Sequence, residues 1–121
     1  QAITLPHGRY QSYLKNVDFI QEYIFPGGCL VSLETVREHI SQYTPLQIDK
    51  VSNIGKDYAR TLRCWRGNFF EQKNNIRALG YTEEFMRIWH YYFCYCEAGF
   101  EEGYLDNLQI ILSNKTSNQM V

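Results

Sequence analysis

Residues 17–32, VDFIQEYIFPGGCLVS, restrict the fold of this chain more than any other stretch. Upstream of the proline, Tyr10, Tyr13, Leu14, Val17, Ile20 and Ile24 recur at the i, i+3, i+4 spacing of one helix face, which predicts a single helix over residues 9–24. Pro26 has no amide proton and biases Phe25 towards extended backbone, so the helix should stop there. Gly27 and Gly28 then allow angles that other residues resist, and Ser32 can cap a second helix. Large side chains, Tyr23 and Phe25 among them, thus gather beside a corner that only proline and glycine make easy. Such a corner places an apolar wall and performs no chemistry itself. Taken alone, it reads first as a helix–turn–helix corner in a packed core.

At 121 residues, with 45% apolar and 16% aromatic content, the chain is a folded domain or part of one. Its net charge of −1 supplies no basic field, so nucleic acid is not expected as a partner. No apolar run approaches the ~20 residues of a membrane span, and no leader peptide is recognisable. A cytoplasmic protein is expected. The chain opens without Met, directly in the apolar segment QAITL, and reads as a piece of something longer. Cys29, Cys64, Cys94 and Cys96 form no CxxC pair, and on a helix Cys94 and Cys96 would point about 200° apart. They are read as reduced thiols, with no metal site.

In order along the chain, residues 1–5 end a buried strand that Pro6 and Gly8 close. The first helix and the corner follow, then a helix over 33–42 with Leu33, Val36 and Ile40 inward. Residues 46–52 alternate as a strand through Leu46 and Ile48, with Val51 out of phase. After a turn at 53–55, a long helix begins near Lys56, carries the stripe Tyr58, Leu62, Trp65, Phe69, and stops at Gly80. Thr82 caps a fourth helix with the stripe Phe85, Ile88, Trp89, Tyr92, Cys96, ended by Gly103. The last strand covers 104–113. Leu108, Ile110 and Leu112 face one side and Ile111 the other, so both faces should be covered. Residues 1–113 are expected to be structured and the polar tail 114–121 to fray.

Charge separates the two long helices: residues 56–80 carry six cations and two acids, residues 81–104 five acids and one Arg. Neighbouring helices that attract one another account for this. Lys56, Arg60 and Arg63, which share a face, offer a second reading as a contact for anionic lipid. Catalytic signatures are sparse. There is no dinucleotide fingerprint, phosphate-binding loop or HExxH, and His7, His39 and His90 lie far apart. One place is arranged. Asp57 and Tyr58 fall in the first turn of the third helix, behind Gly55, where unpaired amides and the helix dipole suit a small anion. A Tyr hydroxyl there can donate to the anion or relay a proton. Tyr58 also begins the apolar stripe of its helix, which is a core role.

Five blocks carry a resemblance in the same order: QAIT, VDFIQEYIFPGGCLVS, IGKDYARTLRCWRGNF, GYTEEFMRIWHYYFCYCEAGF and LQIILS. They resemble the cyclopropane-fatty-acyl-phospholipid synthases and mycolic acid cyclopropane synthases, which are S-adenosylmethionine-dependent lipid methyltransferases. The resemblance spans nearly the whole chain and corresponds to the C-terminal part of the family. The family's glycine-rich cofactor loop and ribose-binding acid would lie upstream of Gln1. An α/β class is implied: the last three strands of a class I methyltransferase (Rossmann-like) sheet with four helices. The final strand would be antiparallel and lie between the other two.

The resemblance also implies a site. Tyr58 matches the tyrosine that holds a bicarbonate in these enzymes, Ile3 a position that binds it through the backbone, and Gln1 the place of a histidine. Gln donates hydrogen bonds but takes up no proton near neutral pH, which separates ring closure from methyl transfer. Tyr23, Phe25, Gly27 and Gly28 would border the acyl chain, where aromatic faces favour the carbocation that methyl transfer creates. The implied cofactor is S-adenosylmethionine, held mostly upstream, with bicarbonate as base. The implied partner is an unsaturated acyl phospholipid or carrier-bound lipid, with peripheral contact at the inner face of the membrane. The isolated chain, missing a sheet neighbour, is expected to be inactive and to dimerise, swap an element or aggregate. A non-catalytic module that kept the fold, and a methyltransferase for a soluble small molecule, stand as alternatives.

Overall fold

The structure, a computed structural model, describes residues 1–115. Three strands, β1 (Ala2–Thr4), β2 (Leu46–Asn53) and β3 (Asp106–Asn114), make one sheet in the order β1-β3-β2. β3 runs antiparallel to both neighbours, so the last strand in sequence is central, as expected. Six helical segments connect the strands: α1 (His7–Tyr13), α2 (Phe19–Tyr23), α3 (Leu33–Tyr43), α4 (Gly55–Glu71), α5 (Lys73–Ala78) and α6 (Glu83–Glu101). No helix among the described residues is long and apolar enough to cross a membrane.

Two of the four expected helices are each broken in two. The helix expected over 9–24 ends at Tyr13 and restarts at Phe19 because Asp18 builds a capping box. The Asp18 carboxylate accepts from the Gln21 amide at 2.9 Å, while the Gln21 side chain accepts from the Asp18 amide at 3.0 Å. Val17, counted in the apolar stripe, falls in the link and is 71% exposed. The long third helix breaks at Gln72 into α4 and α5, and Gly80, at φ +94°, forms the stop. Ser32 and Thr82 cap α3 and α6 by accepting from the Thr35 and Phe85 amides.

β2 contains a bulge: Leu46 to Ile48 pair with Asn114 to Leu112, and Lys50 to Asn53 with Ile111 to Leu108, leaving Asp49 extra. That extra residue is why Val51 falls out of phase. Cross-strand partners share a face, so Ile3 lies beside Asn107 and Leu5 follows on the same side as Leu105. This face takes α4 and α6, giving a core of Leu5, Ala59, Leu62, Phe93, Cys96, Phe100 and Leu105. α3 packs against β2. The far half of β3 is not covered on both sides as expected: Ile111 is 55% and Leu112 42% exposed. The strand also runs further than expected. Asn114 pairs with Leu46, and the Lys115 amide donates to the Pro45 carbonyl at 2.9 Å. The rest of the expected tail, 116–121, lies outside the described residues.

The charge contrast between the long helices resolves into contacts. Arg63 Nε donates to Glu97 at 2.7 Å, Arg66 pairs with the same carboxylate at 3.0 Å, and Arg63 reaches Glu101 at 3.8 Å. Burial works against the Glu97 charge, but the two guanidiniums outweigh it and hold its carboxyl below the usual range. Arg77 pairs with Glu83 across the turn before α6. Arg63 is thus engaged within the fold, and of the suggested lipid-facing cations Lys56 and Arg60 stay uncommitted among the described residues.

Candidate active site

The polypeptide from Pro6 to Ser32 folds back over the end of β1. The Leu5 amide donates to the Val31 carbonyl at 3.1 Å, and Thr4 and Val31 form a parallel bridge. His7 Nδ1 meets Ser32 Oγ at 2.9 Å, tying the start of α1 to the cap of α3. Between these points the corner is built as the sequence requires. The Phe25 amide reaches back to the Ile20 carbonyl at 2.7 Å, the Gly28 amide donates to the Phe25 carbonyl at 2.9 Å, and Gly27 takes φ +81°. Gln21 Nε2 donates to the Gly28 carbonyl at 2.9 Å. The Tyr13 hydroxyl accepts from the Leu30 amide at 2.9 Å. Burial pushes the Tyr13 phenol up, with that amide pulling the other way, so the phenol stays protonated.

α6 supplies the opposite wall. Phe19 meets Tyr91 edge-on at 4.6 Å between centroids, and Phe25 meets Tyr92 edge-on at 6.0 Å. Tyr23 packs on Phe19 at 5.5 Å but remains exposed on its outer side. This two-sided packing corrects the expected stripe on α6. Its fully buried residues are Met86, Phe93, Cys96 and Phe100, so of the expected set only Cys96 is buried. Trp89 and Tyr92 pack against the core from the side, half-buried. Of the stripe on α4, Leu62 is buried and Trp65 exposed.

Tyr58 is half-buried on the same core as Tyr92. Its ring is edge-on to Phe100 at 5.0 Å and to Trp65 at 5.9 Å, and no hydrogen bond holds its hydroxyl among the described residues. Burial raises its phenol, helped by the neighbouring Cys96 thiol. Cys96 itself is pushed up to about 12 by burial, with the Tyr92 hydroxyl pulling partly the other way. Burial raises the Tyr92 phenol too. Three uncharged groups, two phenols and a thiol, therefore sit together at neutral pH.

The suggested anion site at the start of α4 divides in two. A cleft of about 310 Å³ lies there, lined by Gly55, Lys56 and Asp57 together with Asn53, Asp106 and Phe100. Tyr58 does not line it, and two carboxylates do, which disfavours an anion in that cleft. Gly55 fits because its amide donates to Asn53 Oδ1 at 2.9 Å, where an added Cβ would come within 3.1 Å of that oxygen. Tyr58 instead faces the interior with Ile3, both packed on the same core. Gln1 is exposed beyond the start of β1. The sequence did not single out Tyr13, Tyr92 as a site residue, or Asn107. Asn107 leaves its buried Oδ1 unpaired among the described residues, and its sequence signal was a polar residue inside an apolar strand. A buried acceptor without a donor, on the strand beside Ile3, fits a small oxyanion that carries a hydroxyl.

Strand order, the antiparallel central strand and the helices over one end of the sheet define part of a class I methyltransferase-type α/β fold. Residues 1–110 match the family model for mycolic acid cyclopropane synthetase, and the chain belongs to that family. Tuberculostearic acid methyltransferase UfaA1 of Mycobacterium tuberculosis is 42% identical over 109 residues, 90% of this chain and 26% of that protein. Cyclopropane-fatty-acyl-phospholipid synthase of Escherichia coli K12 is 33% identical over 104 residues, 85% of this chain and 26% of that protein. The solved structure of the cyclopropane synthase MmaA2 from Mycobacterium tuberculosis superposes with a TM-score of 0.77 at 28% identity, covering 91% of this chain and 41% of that one. Mycolic acid cyclopropane synthase CmaA1, complexed with SAH and CTAB, gives 0.77 at 28% identity, covering 94% and 42%. The chain thus spans about a quarter of the length of these curated relatives.

Proposed function

We propose that this chain is part of an S-adenosylmethionine-dependent lipid methyltransferase, one that transfers a methyl or methylene group to the double bond of an unsaturated acyl chain. The observation that supports this best is the aromatic packing of Phe19 on Tyr91 and Phe25 on Tyr92, with Tyr92 and the half-buried Tyr58 on one core, in a member of this family. When bound, the cofactor supplies an electrophilic methyl group, and we assign it no residue of this chain. The acyl side is this chain's contribution. Tyr23, Phe25, Gly27 and Gly28 border the acyl chain, and ring faces favour positive charge on its reacting carbon. Burial keeps the Tyr58 phenol protonated, so it donates rather than titrates at neutral pH. With the Ile3 backbone and Gln1 it would hold bicarbonate, a base. Loss of a proton from the incoming methyl closes a ring, and loss from a neighbouring acyl carbon leaves a branch. A 42% identical relative whose name is that of a methyltransferase favours the branch.

Tyr58→Phe in the intact natural enzyme should lower turnover by ~10²-fold, as expected for one positioned proton-handling group. Melting should change little, because the ring keeps its packing on Phe100. Unchanged turnover would return Tyr58 to a core role. The lipid partner and peripheral membrane contact are tested by binding to anionic vesicles. Binding that is absent there, with methylation of a soluble acceptor, would favour a small-molecule enzyme. We further propose that the 121 residues alone do not bind the cofactor and self-associate. Micromolar cofactor binding in a calorimeter, by a chain that light scattering shows to be monomeric, would refute this.

A further inference from the structure

Asn107 is 1% exposed, yet its Oδ1 has no hydrogen-bond partner among the described residues. Burying an amide oxygen unpaired costs stability that an apolar side chain of similar size would not. Its position is specific. Asn107 is the cross-strand partner of Ile3, so its side chain shares the face of Ile3 and Leu105 on which α4 and α6 pack. Its carbonyl accepts from the Ile54 amide at 2.8 Å, and a Cβ on Gly55 would come within 3.5 Å of its own amide nitrogen. The first turn of α4 therefore rests on Asn107, and Tyr58 lies at the end of that turn. Ile3 and Tyr58 both pack against the core that this face encloses.

We propose that the Asn107 carboxamide is a ligand of the bicarbonate taken by the Tyr58 and Ile3 site, an inference that rests on the proposed function. Bicarbonate presents a hydroxyl donor as well as anionic acceptor oxygens. The Tyr58 hydroxyl and backbone amides serve its oxygens, but its hydroxyl needs an acceptor. A carboxamide oxygen provides one without adding negative charge, and the amide group beside it offers two further donors. Gln1 stands on the same face two residues before Ile3 and is exposed, so the buried polar contact comes from the neighbouring strand.

The test is a titration of the intact natural protein with labelled bicarbonate, read by NMR, with nitrate as an oxyanion that has no hydroxyl. Wild type should prefer bicarbonate. Asn107→Leu should weaken bicarbonate by ~10-fold or more, leave nitrate within ~2-fold, and melt no lower than wild type, since it removes an unpaired buried polar group. Should the Leu variant fail to fold, Asn107→Ala, which also removes the acceptor and adds no charge, decides by the same comparison. Unchanged bicarbonate affinity in a folded variant overturns the inference, as does wild type that binds no bicarbonate at millimolar concentration. If wild type methylates lipid but binds no bicarbonate, this inference falls and the proposed function stands. Bicarbonate binding without any methyl transfer to lipid would reject the proposed function instead.

Discussion

The α4–α6 pair and the segment from α1 through the Pro-Gly-Gly corner border the same site but are held by different means. α4 and α6 are joined by buried side chains, with Ala59 and Leu62 fully enclosed and Phe100 nearly so, and by ion pairs centred on Glu97. α1 and α2 bury no residue completely. They are placed by half-buried side chains, Tyr10, Tyr13 and Ile20 on the core and Phe19 on Tyr91, and by single polar contacts, Gln21 on Gly28 and Tyr13 on Leu30. Segments with little burial open at lower free energy than a packed core. The difference teaches which wall is scaffold and which can yield. Tyr58 and Tyr92 are fixed by the dense side, and the side proposed to border an acyl chain is the lightly held one.

The comparison is broken most directly at Leu62. Leu62→Ala should cost about 2–5 kcal/mol in denaturant unfolding, the range for emptying a core site. The same truncation at exposed Tyr23 should stay within about 0.5 kcal/mol. Equal costs would show the two regions to be one cooperative unit. Asp18→Ala removes the capping box and should cost about 1 kcal/mol. Hydrogen exchange should then quicken in residues 14–30 and not in α4, and a uniform rise would erase the distinction. The smallest effect is expected at Glu97. Its folded pKa lies below the ordinary value of 4.5, so its stabilising contribution is complete above that pH and is lost as pH falls through the lowered pKa. Glu97→Gln should flatten the acid limb of a stability–pH curve, and an unchanged limb would mean that the ion pairs add nothing.

Strand order and direction were legible because the resemblance supplied a topology that three short apolar runs could be fitted to. Caps were legible where a Ser or Thr stands alone before an apolar run, as at Ser32 and Thr82. The break at Asp18 was not, because apolar spacing continued through it and a competing side-chain bond decided the backbone. The buried face of α6 was misplaced since aromatic residues surround that helix, and pattern cannot choose between two partners. Of the candidate site, the corner and Tyr58 could be found from local chemistry. The role of Tyr13, and the orphaned amide of Asn107, depend on residues 17 and 104 positions away in the chain meeting in space.

The extra residue in β2 has a consequence for reading related sequences. Counting alternate positions from Leu46 would place Lys50 and Ser52 on the face of Leu46 and Ile48, and Val51 on the other. The fold puts Val51 on that face instead, because the chain steps sideways once at Asp49. In a relative without that step, the residue that does the work of Val51 stands one place nearer to the start of the strand. Matching the two by position would pair residues of opposite sheet faces, and substitutions judged conservative on one side of residue 49 would be scored against the wrong face on the other.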